Sequence, residues 1–132
     1  MTKYLLDTNI LSYFAKGANV ELTKKILSIK PEQRYLNWVV QQELLYGVYR
    51  KQRFDLEVKY QNFFKVCNII YPDSQIVEFC AKLEAQLDSK GIIIGLEDIW
   101  IASTCLVKNL TLVTNNIKHF MNIEGLMVEN WV

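Results

Sequence analysis

The stretch that decides the fold reads KYLLDTN, residues 3–9, where a short apolar run meets an acid and two polar residues. A short continuous apolar run is typical of a strand buried on both faces of a sheet. Thr8 and Asn9 can cap a helix that runs to about Lys16. We therefore expect a buried first strand that carries Asp7 at its carboxyl end, directly before a helix.

The same alternation of short apolar segments with longer helical segments continues along the chain. Further strands are expected near residues 34–37, 68–71, 111–114 and 126–128, and helices over 20–29, 39–50, 56–65, 73–91, 98–108 and 117–121. This pattern predicts an α/β three-layer sandwich, with a mainly parallel central sheet of four to five strands and helices on both faces. Ligands of such sheets bind beyond the carboxyl ends of the strands, which directs attention to Asp7 and to Asn115 and Asn116.

The composition is that of one folded domain spanning residues 1–132. Apolar residues make up 51% and charged residues 22% of the chain, which excludes a disordered protein. No apolar run reaches the length of about 20 residues that a membrane span needs, and the N-terminal residues do not resemble a secretory signal. We expect a cytoplasmic protein with no membrane association.

The cysteines and the single histidine restrict the possible chemistry. Cys67, Cys80 and Cys105 form an odd set without a C-x-x-C spacing, which argues against a disulfide framework or a zinc–thiolate site. Their apolar neighbours suggest that each is a small core residue. With His119 as the only histidine, a hydrolase built from this chain would depend on carboxylates and a metal ion.

Three acids are candidates for that chemistry, although each has an ordinary structural explanation. Asp7 and Asp98 could cap helices, and Glu43, at the border of an apolar helix stripe, could pair with a cation. We interpret Glu97 as a charge that faces solvent. If Asp7, Glu43 and Asp98 converge, each pair about 5 Å apart repels by roughly 3 kcal/mol at an effective dielectric of 20. A bound Mg²⁺ or Mn²⁺ would offset that repulsion and would suit phosphodiester hydrolysis.

Charge gives little further information, because the net charge is only +1. A protein that coats DNA would be far more basic. The run YRKQR, residues 49–53, is either a solvated helix end or a local patch for nucleic acid.

Four ordered motifs resemble those of PIN-domain proteins, and most closely those of the VapC toxins of VapBC toxin–antitoxin modules. They are YLLDTN at residues 4–9, QELLYG at 42–47, IGLEDIWIA at 94–102, and LVTNN at 112–116 with Phe120. The closing stretch GLMVENW, residues 125–131, resembles the branch of the family that cuts initiator tRNA in its anticodon loop.

The resemblance implies roles for individual residues. Asp7 and Asp98 match the metal-binding aspartates of the family, and Glu43 matches its central acid. Asn116 occupies a position where many PIN proteins carry a fourth acid; an amide can orient water or phosphate but adds no charge. Thr8, Asn9, Thr114 and Asn115 are expected to support the metal-binding residues or to contact phosphate.

The resemblance also implies an activity and partners. The expected protein is a Mg²⁺-dependent endoribonuclease, with Mn²⁺ as a substitute, and tRNA is its expected substrate. It would form a homodimer and bind a VapB-type antitoxin whose C-terminal segment covers the acidic pocket; operator DNA would be bound only through that antitoxin. Two alternatives stay open: a PIN nuclease that acts on rRNA, mRNA or single-stranded DNA, and a non-catalytic domain that binds RNA or protein.

Overall fold

Five short strands form one parallel sheet in the order β3-β2-β1-β4-β5 in the computed structural model, which describes all 132 residues. The strands are β1 Tyr4–Leu6, β2 Arg34–Asn37, β3 Asn68–Ile70, β4 Thr111–Val113 and β5 Val128–Glu129. Every neighbouring pair is parallel. The strand predicted to carry Asp7 therefore lies at the centre of the sheet, with strands from both halves of the chain beside it.

Seven α-helices connect and cover these strands. They are α1 Thr8–Lys16, α2 Val20–Ser28, α3 Trp38–Lys51, α4 Phe54–Phe64, α5 Ser74–Ser89, α6 Leu96–Lys108 and α7 Ile117–Phe120, with a 3₁₀ turn at Pro31–Gln33. The result is the three-layer α/β sandwich that the alternation of segments predicts. None of these helices combines the length and the apolar character needed to cross a bilayer.

The central strands supply much of the core. Leu5, Leu6, Leu36 and Leu112 have no exposed surface, as expected of strands covered on both faces. The C-terminal end packs against the same core, because the ring of Trp131 makes an edge-on contact with Tyr4 at 4.9 Å between ring centres.

For two helices, the predicted N-cap residue is wrong. Asp7 itself is the N-cap of α1, and its carboxylate accepts from the amide of Thr8, so Thr8 is the first helical residue rather than the cap. Asp98 does not open its helix: α6 begins at Leu96 after Gly95, and the Gly95 carbonyl accepts from the amide of Ile99. Asp98 therefore lies in the first turn, where its carboxylate is not used for capping.

The prediction that all three cysteines belong to the core is correct only for Cys105. Cys67 and Cys80 are half-buried, and all three thiols are free. Burial raises the pKa of Cys67 to about 12 and raises that of Cys105 as well, so both remain protonated and unreactive at neutral pH.

Candidate active site

The centre of the candidate site is the junction of two neighbouring strands. Leu6 at the end of β1 is in register with Val113 at the end of β4, so Asp7 and Thr114 are neighbours just beyond the carboxyl edge of the sheet. The amide of Asp7 donates to the carbonyl of Val113 at 3.0 Å. Parallel pairing of two strands that are distant in sequence thus brings residue 7 beside residue 114.

Asp7 is held on both of its carboxylate oxygens. Oδ1 accepts from the Thr8 amide at 2.7 Å, and Oδ2 accepts from the Thr114 hydroxyl at 2.8 Å. The Thr114 hydroxyl oxygen in turn accepts from the amide of Asn116 at 3.1 Å. This chain of hydrogen bonds fixes the orientation of the carboxylate and joins the residue-114 loop to it.

The surroundings of Asp7 disfavour its negative charge. Its side chain is buried, with 7% of its surface exposed. Burial raises the pKa of Asp7, and the charge of Asp98 raises it further; the hydrogen bonds from Thr114 and Thr8 act in the opposite direction without cancelling the rise. A buried carboxylate without a cation of its own is the kind of group that a divalent ion stabilises.

Glu43 reaches the same region from the second turn of α3. Asn37 at the end of β2 sets the start of this helix: its side-chain oxygen accepts from the Val40 amide at 3.1 Å, and its Nδ2 donates to Thr104 of α6 at 3.2 Å. Glu43 has an exposed side chain, but partial burial of its carboxyl group and the charge of Asp7 raise its pKa. Sequence reasoning missed Asn37, although an Asn directly before an apolar helical stretch is a typical N-cap signal.

Asp98 forms a pair that the sequence did not predict. Its Oδ2 lies 3.0 Å from Nδ1 of His119, which the short helix α7 carries. Burial raises the pKa of Asp98 despite the opposing effect of His119, and the charge of Glu97 adds to the rise. Glu97 is exposed, as expected, but its charge also raises the pKa of Glu43, so it is not remote from the acids.

The charges of the three acids affect the pKa values within the group, but the three side chains do not form a set of metal ligands. The charges of Asp7 and Asp98 both raise the pKa of Glu43, and Asp98 also acts on Asp7. No group of three or more His, Cys, Asp or Glu side chains lies close enough together to hold a metal ion. Mg²⁺ commonly binds through one or two carboxylates, with water and substrate phosphate completing its shell, so the arrangement suits that ion.

Two orphaned polar atoms beside the acids strengthen the fit to a hydrated cation or a phosphate. The Thr8 hydroxyl is buried and close enough to Glu43 to lower its pKa, yet it makes no hydrogen bond within 3.5 Å. The side-chain oxygen of Asn115 is also buried without a partner, while its Nδ2 makes only a long 3.5 Å contact with the Tyr13 hydroxyl. Buried polar atoms normally have partners, so these two are available for a ligand or water.

The other predicted site residues occupy the rim. Asn9 lies with Thr8 and Glu43 in the wall of one groove. Asn116 contributes its backbone amide to Thr114, and its side chain makes no hydrogen bond in the structure. Asp98 and His119 line a separate shallow pocket with Lys118 and Asn122.

The chain is similar to known proteins over nearly its whole length. Residues 4–125 match the family model of the PIN domain. Ribonuclease VapC2 of Rickettsia felis is 38% identical over 141 aligned positions, which cover 97% of both chains. The tRNA(fMet)-specific endonuclease VapC of Salmonella typhimurium is 24% identical, with 99% of both chains covered.

A solved structure of a relative has the same fold. The crystal structure of VapBC2 from Rickettsia felis, bound to a DNA fragment from their promoter, contains a chain that superposes with a TM-score of 0.87 at 32% identity. The match covers 99% of this chain and 100% of that one. With the sheet order, the ordered acidic motifs and these likenesses together, the chain belongs to the PIN-domain family and, within it, to the VapC ribonucleases.

Proposed function

We propose that this protein is the toxin of a type II toxin–antitoxin pair, a single-domain cytoplasmic endoribonuclease that depends on Mg²⁺ or, as a substitute, Mn²⁺. The observation that carries the proposal is the mutual influence of Asp7, Glu43 and Asp98 at the carboxyl edge of the sheet. The similarity of this chain to the VapC ribonucleases supports the same activity.

Asp7 and Asp98 would hold the metal ion through carboxylate oxygens. The ion, when bound, acidifies a water molecule and neutralises charge on the scissile phosphate. The fixed carboxylate of Asp7 orients the reacting groups, because both of its oxygens are already hydrogen-bonded within the protein. Glu43, whose carboxyl pKa is raised, would accept a proton from the attacking water. The unpartnered oxygens of Thr8 and Asn115 would bind water, and Asn9 and Asn116 would contact phosphate from the rim.

We propose tRNA as the substrate, with the anticodon loop of initiator tRNA as the favoured target. The Salmonella typhimurium relative, which is a tRNA(fMet)-specific endonuclease, supports this choice. The C-terminal motif supports it less than the sequence suggested. The Trp131 ring is buried against Tyr4, and its Nε1 donates to Glu129 at 3.0 Å, so this side chain has a structural role.

The proposed partners are a VapB-type antitoxin, a second copy of the chain, and operator DNA reached only through the antitoxin. The VapBC2 complex on promoter DNA from Rickettsia felis supports the antitoxin and the DNA. Exposed aromatic side chains on α3, Tyr46 and Tyr49, beside the half-buried Trp38, provide an apolar surface suited to a homodimer.

Cleavage of purified tRNA tests the activity. We expect Mg²⁺-dependent cleavage that leaves 3′-hydroxyl and 5′-phosphate ends, that EDTA abolishes, and that Asp7→Asn reduces at least 100-fold. Asp88→Asn removes an exposed aspartate of α5 and serves as the control. Equal cleavage with Mg²⁺ and with EDTA, or full activity of Asp7→Asn, would exclude the mechanism. Sequencing of cleaved ends in cells separates a single tRNA site from dispersed rRNA or mRNA sites.

A further inference from the structure

The groove that contains Glu43 continues away from the acids and ends in cationic side chains. Its walls are residues of α1, α3 and the start of α4, and its far end holds Lys16, Lys51 and Arg53. The basic run at residues 49–53 therefore does not simply face solvent, because two of its members line the same groove as the central acid.

One wall is a polar stripe on α1. Thr8, Ser12 and Lys16 are spaced by four residues, so they lie along one face of the helix, and all three line the groove. Thr8 begins the helix beside Asp7, and Lys16 is in its last turn. The stripe therefore leads from the buried carboxylate to a free ammonium group.

The other wall repeats the spacing on α3. Glu43, Gly47 and Lys51 are also four residues apart and also line the groove. α1 and α3 pack together, and each starts just beyond the carboxyl end of one of the paired parallel strands β1 and β2. On α1, the Thr8 hydroxyl lies toward the sheet and Lys16 lies in the last turn. On α3, Glu43 lies toward the sheet and Lys51 lies in the last turn.

Gly47 keeps the middle of the groove open. A Cβ atom added at this position would meet no atom within 4 Å, so packing does not require the glycine. Glycine in a helix interior is less favourable than alanine because its backbone loses more conformational freedom on folding. Because Gly47 has no side chain, the groove wall is low between Glu43 and Lys51.

The two lysines are the cations free to bind a ligand at this end. The Arg53 guanidinium is already engaged with Asp55 through contacts of 3.0 and 2.9 Å. Lys16 and Lys51 appear in no ion pair. A lysine near a helix C-terminus also complements the helix dipole; that role affects stability, whereas a ligand-binding role affects affinity for an anion.

We propose that Lys16 and Lys51 bind backbone phosphates of the RNA strand whose scissile bond lies at the acids, an inference that rests on the proposed nuclease function. Eight helical residues separate Lys51 from Glu43, and Lys16 from Thr8, which corresponds to about 12 Å. A stacked strand advances about 3.4 Å per nucleotide, so the lysines bind phosphates about three to four nucleotides from the cleaved bond. Phosphate contacts set the register of a strand without reading its sequence, so this groove positions the substrate.

The test compares charge-neutralising variants for tRNA cleavage and RNA binding. We expect Lys16→Gln and Lys51→Gln each to lower kcat/KM on purified tRNA about fivefold to tenfold and the double variant to lower it further. We expect Gly47→Glu, which introduces a carboxylate into the open groove, to lower it at least tenfold. Lys90→Gln, an exposed lysine at the end of α5, is the matched control. Thermal melts establish that each variant is folded.

Binding of a fluorescent 12-nucleotide RNA in EDTA gives a readout that a purely structural role would not change. Loss of one phosphate contact lowers the slope of log affinity against log salt by about 0.7 for a single strand. Reduced slopes in Lys16→Gln and Lys51→Gln support the inference, whether or not tRNA is the cleaved RNA. If both lysine variants keep the wild-type slope and the wild-type kcat/KM while Asp7→Asn is inactive, the proposed phosphate contacts are wrong and the proposed nuclease function still stands. Full cleavage by Asp7→Asn would instead overturn the nuclease function itself.

Discussion

At the scale of single residues, the hydroxyl of Thr114 orients the carboxylate of Asp7 and lowers its pKa. It donates to the Asp7 carboxylate and accepts from the Asn116 amide, and it is fully buried. Two backbone segments far apart in sequence therefore depend on one oxygen atom. The sequence alone placed Thr114 only among the supporting residues.

Thr114→Val removes this oxygen with little change in volume. The hydrogen bond from Thr114 lowers the pKa of Asp7, so its loss raises that pKa further. If ionised Asp7 is required, the acid limb of the pH–rate profile moves to higher pH, and kcat falls about tenfold. The unpaired amide of Asn116 costs about 1–2 kcal/mol of stability. Kinetics over a pH series and thermal melts measure both effects; Thr114→Ser should restore both, and an unshifted acid limb would contradict the role of the hydroxyl.

The candidate acids were predictable as a set, whereas their immediate contacts were not. Asp7 follows β1 and Glu43 lies on α3 as the strand–helix pattern predicts, whereas Asp98 lies inside the first turn of α6 rather than at its start. Their order along the chain carries the family resemblance. The contact of His119 with Asp98 spans 21 residues and depends on how α7 packs on α6. No local pattern encodes such a contact, so the lone histidine gave no sign of its position.

At the scale of secondary structure elements, α3 combines a supporting and a functional role. Val40, Leu44 and Val48 are buried, and Leu44 and Val48 also line the groove beside the stripe of Glu43, Gly47 and Lys51. Periodicity predicted the helix because the apolar positions repeat at helical spacing. It could not predict that the polar stripe has a partner on α1, since that depends on packing between helices.

Gly47→Ala should stabilise the protein by roughly 0.5–1 kcal/mol, because it removes backbone freedom from the unfolded chain and meets no steric obstacle. Gly17→Ala is the matched comparison. Gly17 ends α1 with a φ of 64°, in the left-handed region, so the same change there should destabilise the protein. Urea denaturation of both variants gives the two free energies. A loss of stability in Gly47→Ala would mean that the groove wall is more tightly packed than the structure shows.

Helix starts were the least predictable feature of the elements. Asp98 looked like a cap because it precedes an apolar run, yet the extended Gly95 ends the preceding loop and leaves Asp98 inside the helix. Capping preferences favour several residue types at once, and the tertiary position of the segment before the helix selects among them.

At the scale of the whole molecule, the acids make stability depend on pH. The pKa values of Asp7, Glu43 and Asp98 are all raised in the folded chain, so the folded state binds these protons more tightly than the unfolded state. Their contribution to stability is therefore full below the ordinary carboxyl range and falls as pH rises through the raised values. The three charges oppose folding most at pH values above these raised pKa values.

Added Mg²⁺ should offset this loss. We expect a rise in Tm of several degrees with millimolar Mg²⁺ at pH 7.5 and a much smaller rise at pH 4, where protons compete for the same oxygens. Asp7→Asn should show little response to Mg²⁺ at either pH. Differential scanning calorimetry with EDTA as the baseline measures these shifts. An equal response of the wild type and Asp7→Asn would show that the ion binds elsewhere.

The central place of β1 has a consequence for synthesis of the protein. Asp7 is translated 107 residues before Thr114, whose hydroxyl orients it, and before β4, which pairs with β1. A nascent chain still attached to its ribosome, or one shortened by a premature stop before residue 114, cannot assemble this junction. We expect such fragments to lack ribonuclease activity, so activity appears only after translation has passed β4.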